Sequence, residues 1–110
     1  MNKDARLYID HILQSIDLIL GYISDKDHDS FLIDNRTQDA VVRQLEIIGE
    51  ATKRISREFR NKNPQVPWSE MAGMRDILIH DYIDVDLEIV WKTASESIGE
   101  LKALLKNLEF

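Results

Sequence analysis

Asp4-Ala-Arg-Leu-Tyr-Ile-Asp-His-Ile-Leu-Gln-Ser-Ile-Asp-Leu-Ile-Leu-Gly-Tyr-Ile-Ser24 sets Ile9, Ile12, Leu13, Ile16, Ile19, Leu20 and Ile23 at intervals of three and four. That interval puts one apolar stripe on a helix and polar side chains on the rest of it. Asp25 to Ser30 is a polar connection, and Phe31, Leu32 and Ile33 dock locally after it. A second helix is expected from Arg36 or Thr37, capped by Thr37 or Asn35. It runs through Val41, Leu45, Ile48, Thr52 and Ile55 to Phe59. Gly49 inside it suits close approach of another helix. Asn61-Lys-Asn-Pro-Gln-Val-Pro67 is a break. Pro67 fits the first turn of a third helix, from Trp68 to about Asp81. Tyr82 to Asp86 then turns, and Asp86 caps a fourth helix through Ile89, Val90, Ala94, Ile98, Leu101, Leu104 and Leu105. No strand-like alternation competes. The expectation is a single all-α domain over residues 1–110, an antiparallel, up-and-down four-helix bundle.

The bulk numbers agree. One domain of 110 residues, 44% hydrophobic and 31% charged, has the mixture of a folded soluble protein rather than a disordered one. Charges interrupt every apolar run short of a membrane span, and the first residues lack the apolar centre of a signal peptide. The chain has no cysteine, which removes disulfides and thiolate metal sites and fits a cytoplasmic location. His11 and His28 have no partner at metal-ligand spacing, so neither a metal nor another cofactor is expected.

A net charge of −6 argues against a dedicated duplex-DNA binder. Residues 36–62 carry seven basic and four acidic side chains, net +3, between segments of net −4 and −5. Within them Lys53, Arg57 and Arg60 fall on one face of a continued helix. They form either a phosphate-tracking ridge for RNA or a solvated helix end whose cations suit the dipole. Trp68 and Trp91 either stack on bases or pack in the core.

Arg75-Asp-Ile-Leu-Ile-His-Asp-Tyr82 departs from simple core chemistry. On a helix, at about 100° per residue, Tyr82 returns to within about 20° of Arg75, between Leu78 and Ile79. Asp76 and His80, four apart, make a second stripe. A buried guanidinium costs several kcal/mol unless it is paired or lines a wet cleft. Plain alternatives exist for each residue: an ion pair of Arg75 with Glu50 or Glu46, a helix-end His80 bonded to Asp76, and a Tyr82 ring packed with its hydroxyl wet.

Arg75-x4-His80-x-Tyr82, late in an all-helical chain, resembles the HEPN superfamily and within it the HepT-type toxins, partners of minimal nucleotidyltransferase antitoxins. The likeness also rests on Phe31-Leu32, Asn35 to Ala40, Leu45 to Ala51 with its Gly-Glu-Ala, Pro67-Trp68, Met74-Arg75-Asp76 and Val85-Asp86, in order. The resemblance implies a homodimer whose Arg75 and His80 face a shared cleft and cut RNA without metal. Asp76, one helical turn before His80, supports it by holding or polarising the ring, at a position where the family often has asparagine. The resemblance matches Tyr82 to the tyrosine that the nucleotidyltransferase adenylylates to silence the toxin. Histidine can take and return a proton near neutrality, and arginine offers a fork of donors to a crowded phosphate. A second reading, favoured by the net charge, is a non-catalytic helical subunit that binds or regulates a nucleotidyltransferase. Asp81, Asp84, Asp86 and Glu88 are turn and cap residues that would repel RNA, or they meet a basic surface on the antitoxin.

Overall fold

The structure, a computed structural model, describes residues 3–74, 76, 79–81 and 84–110, and of residues 79–81 and 84 the backbone alone. The first helix, α1, spans Lys3–Ile23. Its stripe behaves as the spacing requires: Ile9, Ile12, Ile16 and Ile19 are buried, with Leu13, Leu20 and Ile23 half-buried beside them.

A short α2, His28–Leu32, delivers Phe31 into the core. Asp27 starts it with a reciprocal capping box: its carboxylate accepts from Ser30 N at 2.9 Å, and Ser30 Oγ accepts from Asp27 N at 2.9 Å. The next helix, α3, spans Asn35–Arg54. Its cap is Asp34, in place of the expected Thr37 or Asn35. Asp34 accepts from Thr37 N at 3.1 Å and from Thr37 Oγ1 at 2.7 Å. A carboxylate fits there because it meets both the orphan amides and Lys26, 2.9 Å away. These bonds hold the Asp34 carboxyl well below the usual carboxylate range, the Thr37 hydroxyl first among the causes.

The second helix does not run on to Phe59. It ends at Arg54, and Ser56 caps a separate α4, Arg57–Lys62, accepting from Phe59 N at 3.1 Å. The serine hydroxyl competes with the helical ladder and caps its restart. α5 spans Trp68–Ala72, with Pro67 at its cap and Gly73 closing it by donating to the Met71 and Ser69 carbonyls. Met74 and Asp76 are again helical.

One expectation fails beyond this point: the third helix does not continue to Asp81, and a short ladder takes its place in the otherwise all-α fold. Ile79–Asp81 (β1) pairs antiparallel with Asp84–Val85 (β2), Ile79 opposite Val85 and Asp81 opposite Asp84, with an irregularity between. β-Branched residues crowd this stretch, and they favour a pleated backbone over a helix.

The last helical run is α6, Leu87–Lys92, a π-helical turn over Thr93–Ser97, and α7, Ile98–Lys106. Asp86 caps it as expected, accepting from Glu88 N and Ile89 N. Thr93 and Ser95 donate back to the Ile89 and Trp91 carbonyls at 2.8 and 2.7 Å, the kind of insertion that loosens the regular ladder.

Among the described residues the architecture is all-α apart from that short ladder. α1 packs chiefly on α3 and also on α7, and α3 carries α5. Ile48, Leu45 and Val41 from α3 meet the α1 isoleucines, closed by Val90, Ala94, Ile98 and Leu101. Phe110 stacks on Phe59 at 5.6 Å, and the Arg6 guanidinium sits 5.5 Å over the Phe110 ring.

Candidate functional site

The segment carrying the Arg-His-Tyr motif is held from its N-terminal side. Trp68 anchors α5: its ring is buried edge-on to Phe59 at 6.1 Å, and its Nε1 donates to the Asn63 carbonyl at 2.9 Å. Core packing, not base stacking, therefore describes this tryptophan. Trp91 is half-buried and tilted against Phe31 at 5.2 Å, again a packing role. The far end of α5 rests on α3 at Gly49, where a Cβ would lie 3.3 Å from the Ala72 carbonyl oxygen and 3.5 Å from that of Met71. Gly49 is thus a close-approach glycine.

Past Gly73, Met74 packs half-buried on the core and Asp76 is exposed. Arg75 and Tyr82 lie outside the described residues, so the proposed Arg75–Tyr82 stripe does too. His80 is described by its backbone alone, in β1. The second stripe, which set His80 one helical turn after Asp76, is corrected by this geometry. Asp76 is helical but His80 is extended, so the spacing of four no longer places them on one helix face. Glu50, one of the acids offered to Arg75, lies 3.6 Å from Lys53.

The basic cluster is also rearranged. Lys53 belongs to α3, while Arg57 and Arg60 lie on α4 across the break at Ile55 and Ser56. The three do not form one ridge on one helix. Arg57 and Arg60 instead line an open pocket of about 530 Å³ with Asn61, Trp68, Ser69 and Glu70. Arg60 Nε is buried, with no hydrogen-bond partner among the described residues.

One cluster escaped sequence reasoning. His28 Nε2 lies 2.7 Å from a Glu88 carboxylate oxygen, sixty residues on. The ring also meets Trp91 edge-on at 6.5 Å, tying α2 to α6. Its pKa is raised, first by the Glu88 bond and then by Asp29. No local pattern signals this pair, because neither residue is unusual in its own segment. Asp86 and Glu88 thereby take cap and ion-pair roles.

Among the described residues no group of three or more histidine or acidic side chains is placed to hold a metal ion. No described helix is long and apolar enough to cross a membrane.

The chain was compared with known proteins. The family described as Ribonuclease HepT-like matches residues 12–108. A Methanocaldococcus jannaschii protein, named as a gamma-glutamylcyclotransferase and candidate RNase, is 48% identical over 110 residues. That match covers 99% of this chain and 50% of the relative, so the chain spans about half of its length. A Thermococcus cleftensis protein named "Probable ribonuclease HepT" is 44% identical over 108 residues, 98% of each chain. A Caldanaerobacter subterraneus protein named as a candidate RNase is 42% identical over 106 residues, 96% of this chain and 95% of the relative. No solved structure matches.

Proposed function

From the premise that the chain belongs to the HepT-like ribonuclease family, we propose that it is a toxin that cuts RNA internally without a metal ion, using Arg75 and His80. The observation that carries this reading is the family match across residues 12–108, which includes Arg75-x4-His80-x-Tyr82 whole. Relatives of near-equal length named as ribonucleases support the same reaction class.

In the proposed reaction the 2′-oxygen of one ribose attacks the adjacent phosphorus. The bond from phosphorus to the 5′-oxygen of the next nucleotide breaks. The products are a 2′,3′-cyclic phosphate and a free 5′-hydroxyl. His80 takes the 2′-hydroxyl proton, and a proton returns to the leaving 5′-oxygen. Arg75 donates to the non-bridging phosphate oxygens as charge builds on them. Two copies of the chain form the cleft in which a guanidinium on an apolar segment stays wet. Asp76, exposed at the start of the segment, is the proposed supporting residue.

Tyr82 is the proposed off-switch. Its phenolic oxygen attacks the α-phosphorus of ATP, pyrophosphate leaves, and the adenylyl group stays on the ring. The transferring partner is a cognate minimal nucleotidyltransferase acting as antitoxin. The added bulk and phosphate charge compete with RNA beside Arg75. The net charge of −6 favours one other reading, a non-catalytic subunit that binds or regulates such a nucleotidyltransferase. The deciding experiment incubates the purified, unmodified protein with RNA in chelator and analyses the new ends. Cyclic-phosphate ends support the ribonuclease; intact RNA favours the regulatory subunit.

A further inference from the structure

The acids around the one net-positive third of the chain are unevenly shared. Glu50 lies against Lys53 at 3.6 Å and Glu58 against Lys62 at 3.2 Å. Arg57 and Arg60, on the same short helix as Lys62, are in no ion pair among the described residues. Both line the open pocket between α4 and the start of α5. Arg60 is half-buried and its Nε wholly so, without a hydrogen-bond acceptor among the described residues. Two guanidinium groups with no ion pair among the described residues, at one open pocket, mark a place where an external anion is stabilising.

The walls are rigid. Pro64 and Pro67 restrict the backbone, and the buried Trp68 is locked by its bond to the Asn63 carbonyl. The Asn61 amide and the Ser69 hydroxyl add neutral donors at the edge, and Glu70 is the single opposing acid. We infer that this pocket is a phosphate subsite for single-stranded RNA, in which Arg57 and Arg60 hold a backbone phosphodiester away from the reacting one.

Forked guanidinium donors match the geometry of phosphate oxygens. The pocket is open, so a strand can pass through instead of ending in it. Its tryptophan is committed to the core, leaving no free aromatic face for reading a base, so the contact is indifferent to sequence. α5 begins at the pocket and ends at Ala72, three residues before Arg75 in the sequence. The subsite rests on the ribonuclease reading for its purpose, but it is testable without cleavage.

The probe is a short single-stranded 2′-O-methyl oligoribonucleotide, which can bind but lacks the attacking hydroxyl. Its dissociation constant is measured against salt for the wild type, Arg57→Gln, Arg60→Gln, Arg60→Lys and Lys62→Gln. Each glutamine removes one positive charge. Arg57 and Arg60 face the pocket, whereas Lys62 is paired with Glu58 outside it. Arg57→Gln and Arg60→Gln are each expected to weaken binding about tenfold. Each should flatten the salt slope by about 0.7 per lost phosphate contact. Lys62→Gln should do neither, and Arg60→Lys should recover only part of the loss, since it lacks the guanidinium fork. Melting curves identify any fold defect at half-buried Arg60; exposed Arg57 supplies the second variant. Equal effects of all three glutamine substitutions, or no binding by the wild type, overturn the subsite. If the wild type cuts RNA while the arginine variants bind like Lys62→Gln, the subsite fails and the ribonuclease stands. If the wild type does not cut but binds through these arginines, the subsite stands and the ribonuclease reading falls.

Discussion

Gly49 lies so close to Ala72 that a Cβ at position 49 would be 3.3 Å from the Ala72 carbonyl oxygen. The contact seats the end of α5 on α3, just before the segment that carries Arg75 and His80. Gly49→Ala gains about 1 kcal/mol of helix propensity and forces the facing backbone back by a few tenths of an ångström. These effects oppose each other, so the melting free energy should change by less than about 1 kcal/mol. RNA cleavage should fall severalfold, because small displacements of a reacting group are costly. Thermal melting and cleavage rate on the same sample separate the two. Unchanged cleavage would show that the Gly49–Ala72 contact does not position the site.

His80→Ala removes the proposed proton carrier, and Arg75→Ala removes the donor to the phosphate. Single-turnover cleavage should fall about 10²- to 10⁴-fold in the first and about 10²- to 10³-fold in the second. Sedimentation should show the proposed dimer in both variants as in the wild type. Wild-type rates in either variant would remove that residue from the chemistry.

Adenylylation is checked by intact mass after coexpression with the proposed cognate nucleotidyltransferase. The wild type should gain adenylate mass and lose RNA cleavage. Tyr82→Phe should gain none and stay active in the presence of the partner. Adenylate mass that persists in Tyr82→Phe would move the modification elsewhere.

His28 and Glu88 predict a pH-dependent contact. The folded-state pKa of His28 is raised above the ordinary value of 6.5, chiefly by the Glu88 bond and then by Asp29. A histidine raised in this way contributes stability that is fully present below about pH 6.5 and lost as pH rises through its folded pKa. Glu88→Gln should lower the His28 titration midpoint toward the ordinary value and shrink the pH dependence of melting. Ring-proton NMR reads the midpoint directly, and an unmoved midpoint would show that Glu88 is not the controlling partner.

Legibility in the sequence followed the range of the interaction. The α1 stripe, the break around Pro64 and Pro67, the Asp86 cap and the Gly49 approach were readable, because each follows from periodicity or from one residue's own backbone preference. Asp34 was passed over as a cap because its neighbours Asn35 and Thr37 are also good cap residues. Lys26, which favours Asp34, is eight positions away. The Ile55–Ser56 restart was missed because an apolar helical pattern continues across it to Phe59, and the pattern does not record a serine hydroxyl taking an amide.

The sequence by itself determined that this protein is helical, which faces its long helices bury, and, through an ordered motif, its family. Those properties are local, or repeat at fixed intervals along one chain segment. The tertiary structure decided the rest. It moved His80 off the helix face of Asp76 by pairing Ile79–Asp81 with Asp84–Val85. It joined His28 to Glu88 across sixty residues and turned Arg57 and Arg60 from a helix stripe into the wall of a pocket. Each depends on where distant segments meet, and that is set by the packing of the whole core.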